Sequence, residues 1–189
     1  MNPPSASSGN ETVQQQAEAK ETRRRQDNER KTIAAFKNEF PNEKIEQDRG
    51  VPVASSRDRE TDGYKNEIRD AQILQELGNY VILTPELRSN TDKKFDAFVN
   101  GLAYEFKNIH GNSPRTLRKR FLESREQAEN VFINLEKSKL RRRQIIGILR
   151  GVRNGGDYKK YNKHKGGRII LKIRGVNHLI YLNVDDLKI

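Results

Sequence analysis

The stretch FDAFVNGLAYEFK, residues 95 to 107, determines how the rest of the chain is interpreted. It contains Asn100-Gly101, the preferred pair for a two-residue type I′ turn, because both turn positions need a positive φ. This turn fixes the register of a predicted hairpin in which Asp96 faces Glu105. Side chains alternate along a strand and therefore divide between two faces. One face is predicted to hold Phe95, Ala97, Val99, Leu102, Tyr104 and Phe106, and the other Asp96, Phe98, Ala103, Glu105 and Lys107.

The second of these faces brings two carboxylates together. Directly opposed side chains lie about 4.5 to 5.5 Å apart at Cβ, so Asp96 and Glu105 repel each other unless a cation lies beside them. Lys107, two residues further along the same face, can be that cation, and so can a divalent metal with oxygen ligands. The alternative is an ordinary amphipathic hairpin whose charged face is solvated.

The composition divides the chain into two parts. Residues 1–60 contain few large apolar groups and include the runs Gln14-Gln15-Gln16 and Arg23-Arg24-Arg25. Such a composition does not offset the entropy lost on ordering, so this part is expected to be a disordered tail or a solvated helical linker, with Glu11 to Phe40 as the helical segment. Residues 61–189 are expected to form one folded domain.

Charge is distributed unevenly between these parts. The chain has 37 Lys and Arg against 26 Asp and Glu, a net charge of +11. Residues 1–60 hold 11 of each kind, so the whole excess belongs to residues 61–189, and residues 113–153 alone hold 12 basic and 4 acidic groups. Acidic clusters beside basic segments are typical of nucleases, which use carboxylates for metal and cations for phosphates. Solvated helix faces are the alternative, and no membrane partner is expected.

Residue content excludes several classes of site. The chain has no cysteine, which excludes disulfides, thiolate metal sites and cysteine nucleophiles. Its three histidines, His110, His164 and His178, have no ligand-like spacing, so a metal would need oxygen ligands, which favours magnesium or manganese over structural zinc. No apolar run is long enough for a signal-peptide core or a membrane span, so we expect a soluble chain without an export signal of its own.

Beyond the hairpin, hydrophobic periodicity predicts alternating helices and strands. Expected helices cover Tyr64 to Leu77, Pro114 to Glu129 and Lys137 to Arg153, and expected strands cover Tyr80 to Thr84, Val131 to Leu135, Arg168 to Arg174 and His178 to Asn183. Ser113-Pro114 is a typical helix start. Arg125 is expected to project outward from its helix. Tyr158, Tyr161 and His164, in a Lys-rich loop, are candidates for stacking on unpaired bases.

This order of elements resembles the core of the PD-(D/E)xK nucleases, the restriction-endonuclease-like superfamily. Asp96 matches the metal-binding aspartate of that superfamily, although Phe95 precedes it in place of Pro. Glu105-Phe106-Lys107 matches the (D/E)xK motif, and Glu67 matches the acidic residue of the first helix. The resemblance implies an α/β (α+β) fold with a central mixed sheet flanked by helices, and it implies metal-dependent nuclease activity.

A narrower resemblance covers about residues 66 to 185 and rests on NEIRDAQILQELG, FDAFVNGLAYEFKN and QAENVFINL, with a basic helix and a final pair of strands. These segments are similar to the C-terminal toxin domains of bacterial contact-dependent inhibition proteins, the CdiA-type tRNA nuclease domains. The resemblance implies cleavage of tRNA or DNA in a target cell's cytosol and neutralisation by a dedicated immunity protein. Related toxins with the barnase, EndoU, colicin and RelE-like fold have similar patterns. Such a metal-independent ribonuclease would use His178, His110 and Lys107, with Glu105 as base.

The residues themselves suggest how such a site would work. Asp96 and Glu105, with Glu67 helping directly or through water, would hold one Mg²⁺, Mn²⁺ or Zn²⁺ ion that activates water and stabilises the scissile phosphate. Lys107 would position that water or neutralise the developing charge. Supporting candidates are Gln127, which is otherwise an exposed helix residue, and His178. Phosphate contacts are predicted for Arg115, Arg118, Lys119, Arg141, Arg142 and Arg143.

Three hypotheses follow from the sequence. The leading one is a metal-dependent nuclease that cuts RNA, tRNA before other RNAs, as a bacterial toxin domain. The second is a DNA endonuclease of the same fold from a toxin, phage or mobile element, because phosphate contacts do not distinguish RNA from DNA. The third is a non-catalytic nucleic-acid-binding module with a decayed site, which the presence of Glu67, Asp96, Glu105 and Lys107 disfavours.

Overall fold

The structure, a computed structural model, describes residues 8–85, 95–156, 158 and 166–187. Its elements in chain order are α1 (Ser8–Glu39), β1 (Ile45–Asp48), β2 (Val51–Ala54), α2 (Asp62–Glu76), β3 (Val81–Leu83), β4 (Ala97–Val99), β5 (Leu102–Asn108), α3 (Pro114–Gln127), β6 (Asn130–Leu135), α4 (Arg142–Asn154), β7 (Arg168–Ile173), β8 (Ile180–Asn183) and a 3₁₀ turn, Val184–Leu187. The predicted start of α3 is confirmed, because the Ser113 side chain caps the helix by accepting a hydrogen bond from the Thr116 N–H.

The eight strands form one mixed sheet in the order β1-β2-β3-β4-β5-β6-β7-β8. Neighbours are parallel at β2/β3, β5/β6 and β6/β7 and antiparallel at the other four junctions. A parallel pair needs a crossover connection, and α2, α3 and α4 supply the three crossovers. The prediction of an α/β fold with a central mixed sheet flanked by helices is therefore confirmed.

The central hairpin has the register that its turn predicts. Asn100 and Gly101 both adopt positive φ, 50° and 85°, and Ala97 pairs with Tyr104 across β4 and β5. The prediction was wrong for Phe95, whose ring packs 4.9 Å from the ring of Phe98 and so belongs to the opposite face. Strand alternation does not extend that far, because β4 begins at Ala97.

Helix α2 covers one face of the sheet, and α1, α3 and α4 cover the other. On the α2 face, Ile68 packs in one cluster with Tyr104 of β5. On the opposite face, Phe121 of α3 and Leu149 of α4 share a second cluster, and Phe36 of α1 belongs to a third cluster over β3 and β4. The site residues of β5 that alternate with Tyr104 therefore lie on the side of α3.

The N-terminal segment contributes more to the fold than its composition suggests. The predicted helix corresponds to α1, whose Phe36 ring is fully buried and lies 6.4 Å from the ring of Phe98. The following strands, β1 and β2, extend the sheet, and Val51 and Val53 are fully buried. The sheet therefore begins before the boundary expected at residue 60, since strands of four residues are too short to show a clear period. No helix in the described ranges has the length and apolarity of a membrane span.

Two predicted boundaries in the C-terminal half are corrected. Helix α4 begins at Arg142 and not at Lys137, because Ser138 forms a β-bridge with Gly111 and its hydroxyl donates to the Gly111 carbonyl at 2.8 Å. Strand β8 begins at Ile180. His178, expected to start that strand, is an exposed residue of the preceding turn.

Two residues expected at the surface are buried. The guanidinium of Arg125 is fully buried and donates to the carbonyls of Glu129 and of Gly166, the latter at 2.7 Å. Tyr158 is 2% exposed and stacks on Phe121 with 6.4 Å between ring centroids, so it is not available to stack on bases. Both corrections arise because the end of α3 meets the starts of β6 and β7, a contact between distant parts of the sequence. The related candidates Tyr161 and His164 lie outside the described residues.

Candidate active site

Asp96 lies at the point where β4 begins beside β5. It is 4% exposed, and its backbone N–H donates at 3.0 Å to the carbonyl of Tyr104, the residue with which Ala97 pairs. Its carboxylate Oδ2 accepts a hydrogen bond from the backbone N–H of Phe106 at 2.8 Å. The Asp96 carboxylate therefore rests against the backbone of β5 at Phe106, between Glu105 and Lys107.

Glu105 and Lys107 form a buried ion pair on the α3 side of β5. The distance from Lys107 Nζ to Glu105 Oε1 is 2.5 Å, and the side chains are 14% and 1% exposed, respectively. The two residues lie on the same face because they are two apart on one strand. Lys107 therefore supplies a cation beside Glu105, one of the two carboxylates that the predicted hairpin brings together.

Gln127, the last residue of α3, completes this arrangement. Its Oε1 accepts a hydrogen bond from Lys107 Nζ at 3.0 Å. Helix α3 crosses over from β5 to β6, which returns its C-terminal end to the sheet beside these strands. Of the two readings of Gln127, a supporting group or an exposed residue, the contact favours the supporting group, and its role in catalysis stays a prediction.

Glu67, on α2, is held by a residue that the sequence did not single out. The Arg57 guanidinium pairs with Glu67 and also donates to the Thr84 carbonyl, and the two side chains are 5% and 18% exposed. Arg57 lies in the polar run SSRDRE, where no spacing or periodicity marks it. Its role depends on a contact across ten residues that only the fold creates.

The three carboxylates predicted to bind a metal differ in how well they could serve as ligands. Asp96 and Glu105 offer buried carboxylate oxygens from neighbouring strands, which suit a hard ion such as Mg²⁺ or Mn²⁺. Glu67 fits less well as a third ligand, because Arg57 binds its Oε2 and α2 covers the face of the sheet opposite to the Glu105 side chain. Consistent with this, no group of three or more His, Cys, Asp or Glu side chains in the described part of the chain is arranged to hold a metal.

A third buried carboxyl, Asp70, lies one turn beyond Glu67 on α2 and was also missed. It is fully buried and accepts hydrogen bonds from Asn108 at 2.6 Å and from Asn134 at 2.7 Å. Burial raises the pKa of the Asp70 carboxyl to about 7, although both amides oppose the shift. Its position at i−4 from buried Leu74, at the edge of the apolar stripe, was the available sequence signal.

The predicted phosphate-binding residues form an exposed basic surface on α3 and at the start of α4, which we call the basic face. All of its members are exposed: Arg115, Arg118, Lys119, Arg141, Arg142 and Arg143. The basic face begins twelve residues before Gln127, which is about 18 Å along a helix. The histidines His110 and His178 are exposed as well. The structure thus separates a buried carboxylate and lysine cluster from an exposed basic face on the same side of the sheet.

Known proteins resemble part of this chain. Residues 93–160, 68 of the 189, match the family model described as the contact-dependent growth inhibition CdiA C-terminal domain. A solved chain from a CdiA-CT/CdiI toxin and immunity complex of Burkholderia pseudomallei is similar, with 20% sequence identity, a TM-score of 0.46, and coverage of 68% of this chain and 89% of that chain. No curated protein matches. The stretch that matches the family model contains the hairpin, Gln127 and the basic face, but not α2 or Arg57.

Proposed function

We propose that this chain carries a metal-dependent nuclease domain that cleaves RNA, with tRNA as its substrate, and acts as a toxin that an immunity protein neutralises. The observation that carries the proposal is the buried Glu105 and Lys107 ion pair beside Asp96. It lies within the residues that match the CdiA C-terminal family model.

A buried ion pair of this kind is poorly explained by stability alone. Removing two charges from water costs several kcal/mol per ion in real proteins, and apolar residues of similar volume often stabilise a fold equally well. Clustered buried ionisable groups are instead typical of functional sites. Here Lys107 is also bonded to an amide, Gln127, from a different element, and a second carboxylate, Asp96, bonds to the backbone N–H of Phe106, between the two members of the pair.

In the proposed reaction, Asp96 and Glu105 would hold the divalent metal. Such an ion supplies an activated water and stabilises charge on the scissile phosphate. Lys107 keeps its protons directed by two acceptors, Glu105 and Gln127, and presents the remaining N–H to the phosphate oxygens or to the attacking water. Gln127 holds the ammonium at a fixed place, so the positive charge needs no rearrangement when the transition state forms.

The basic face would position the substrate. Its six cations can bind backbone phosphates, which orient a nucleic acid without reading its sequence. Each neutralised phosphate releases counterions, so binding should weaken steeply as salt increases. An immunity protein that covers this face would need an acidic surface, because opposite potentials steer such partners together.

The choice of tRNA rests on the similarity to CdiA-type tRNA nuclease domains, and the site of action proposed with it is the cytosol of a target cell. Phosphate contacts alone fit DNA equally well. The test therefore incubates the purified chain with total tRNA and, separately, with plasmid DNA, with added magnesium, manganese or zinc, and with EDTA. Asp96→Ala and Lys107→Met accompany the wild type, and Lys137→Met, an exposed lysine next to β6, serves as the matched control.

The expected result is metal-dependent cleavage of tRNA that Asp96→Ala and Lys107→Met abolish and Lys137→Met retains. If plasmid DNA is cleaved with the same dependence on metal and on Asp96 and Lys107, the proposed substrate changes to DNA and the site assignment stands. RNA cleavage that survives EDTA would contradict the metal-dependent mechanism. Binding without cleavage under every condition would contradict nuclease activity altogether.

A further inference from the structure

We propose that Glu67 is a positioning residue that fixes Asp96 through Arg57 and Thr84, and that it does not bind the catalytic metal. This inference rests on the proposed function, because it concerns the same site. It departs from the expectation that Glu67 is a third metal-binding carboxylate. Four consecutive contacts carry it.

The first contacts involve the Arg57 guanidinium. It donates through one nitrogen to Glu67 and through another to the Thr84 carbonyl. A guanidinium is planar and always charged, so a single side chain holds both groups in a fixed relative orientation. Because Arg57 is 5% exposed and Glu67 is 18% exposed, separating the pair would leave a poorly solvated charge.

The next contacts lead from Thr84 to Asp96. Thr84 is fully buried. Its hydroxyl donates to the Phe95 carbonyl at 2.6 Å, and its backbone N–H donates to the Asp96 carbonyl at 3.0 Å. Thr84 therefore bonds to the carbonyls of both peptide groups that flank the Asp96 Cα, and the Thr84 carbonyl is in turn bonded to Arg57.

A metal-binding role for Glu67 would compete with this arrangement. A metal ligand must direct a carboxylate oxygen at the ion, whereas Arg57 already binds Oε2 of Glu67, and α2 covers the face of the sheet opposite to the one that carries the Glu105 side chain. The described residues also lack any group of three carboxylates or histidines placed for a metal. By contrast, Asp96 and Glu105 are joined by the backbone of β5, through the hydrogen bond from the Phe106 N–H to Asp96.

Two substitutions of Glu67 separate the two roles. Glu67→Gln keeps an oxygen that accepts from Arg57 but removes the carboxylate charge, whereas Glu67→Leu removes the acceptor. Glu76→Gln, on the exposed side of the same helix, is the matched control. Calorimetric titration of the full chain with Mn²⁺ measures metal affinity, and tRNA cleavage measures activity.

If Glu67 positions Asp96, Glu67→Gln should keep the Mn²⁺ dissociation constant and the cleavage rate within about 3-fold of wild type, while Glu67→Leu should lower the cleavage rate about 10- to 100-fold. Asp96→Asn should abolish Mn²⁺ binding. Weakening of Mn²⁺ binding by Glu67→Gln to the level of Asp96→Asn would overturn the inference. So would full activity of Glu67→Leu.

A measurement without metal or substrate keeps this inference distinct from the proposed function. The Phe106 backbone amide donates to Asp96, so its NMR resonance reports where that carboxylate lies. Glu67→Leu and Thr84→Val should shift this resonance, and Glu67→Gln and Glu76→Gln should leave it in place. If the wild type neither binds Mn²⁺ nor cuts nucleic acid, the proposed function fails. The positioning of Asp96 by Glu67 is refuted separately, by a Phe106 resonance that does not shift in Glu67→Leu.

Discussion

Raising the pH from 5 to 8 should destabilise the fold through one carboxyl, Asp70. Burial raises the pKa of this group from its ordinary value of 3.8 to about 7. The folded protein therefore keeps a proton that the unfolded chain has already released. The stability that this proton contributes is fully present below pH 3.8 and is lost as the pH rises through about 7.

The size of the effect follows from the shift of the pKa. One unit corresponds to about 1.4 kcal/mol, so a shift of about three units amounts to about 4 kcal/mol over the whole titration. Between pH 5 and 8 the share of this loss is about 2 to 3 kcal/mol. Asp70→Asn cannot ionise, so its free energy of unfolding should lack this decline.

Urea unfolding at pH 5, 6, 7 and 8 of wild type, Asp70→Asn and Asp62→Asn tests the expectation. Asp62 lies on the same helix but its side chain is 96% exposed, so its variant should follow the wild type. The informative quantity is how the difference in unfolding free energy between wild type and Asp70→Asn changes with pH. Parallel pH profiles for these two proteins would refute the account of a buried, proton-retaining Asp70.

Three further outcomes are expected. Gln127→Leu should lower tRNA cleavage about 10-fold or more with unchanged tRNA affinity, because Lys107 loses an acceptor while phosphate binding persists; equal losses in both would contradict this in a paired cleavage and binding assay. Replacing the three arginines of residues 141–143 by alanine should reduce the slope of log affinity against log salt by about 2 to 3, and an unchanged slope would remove this cluster from the basic face. Phe36→Ala should lower the free energy of unfolding by about 3 to 5 kcal/mol in urea, because it leaves a cavity over Phe98; a change near zero would mean that α1 does not stabilise the sheet.

The parts of the fold that the sequence predicted are those that short-range chemistry fixes. The Asn100-Gly101 turn sets its register through the backbone of two residues, so the pairing of Ala97 with Tyr104 followed directly. Strands β1 and β2 were not predicted, because four residues with one proline carry too little pattern. The burial of β2 depends on α2 and β3, which come later in the chain.

The candidate site also contains residues that a local pattern places and residues that only distant contacts place. Lys107 and Glu105 are two apart on one strand, so the alternation of side chains is sufficient to place them on the same face. Arg57 and Arg125 looked like two of many surface cations, yet both are buried by contacts to distant carbonyls. A local pattern cannot reveal such contacts, since an arginine is as polar in the sequence when its guanidinium is satisfied inside the protein as when it is solvated.

The attachment of β1 and β2 to the sheet also governs how the chain can be dissected. A fragment that begins at residue 61 would remove the partner of β3 and leave the backbone of that strand, Val81–Leu83, as an unpaired edge. Such an edge invites pairing between molecules and aggregation. The same truncation would remove Arg57, and with it the hydrogen bond to the Thr84 carbonyl that supports the position of Asp96. Loss of residues 1–60 should therefore lower the solubility of the domain and loosen the position of Asp96, although every residue of the hairpin remains intact.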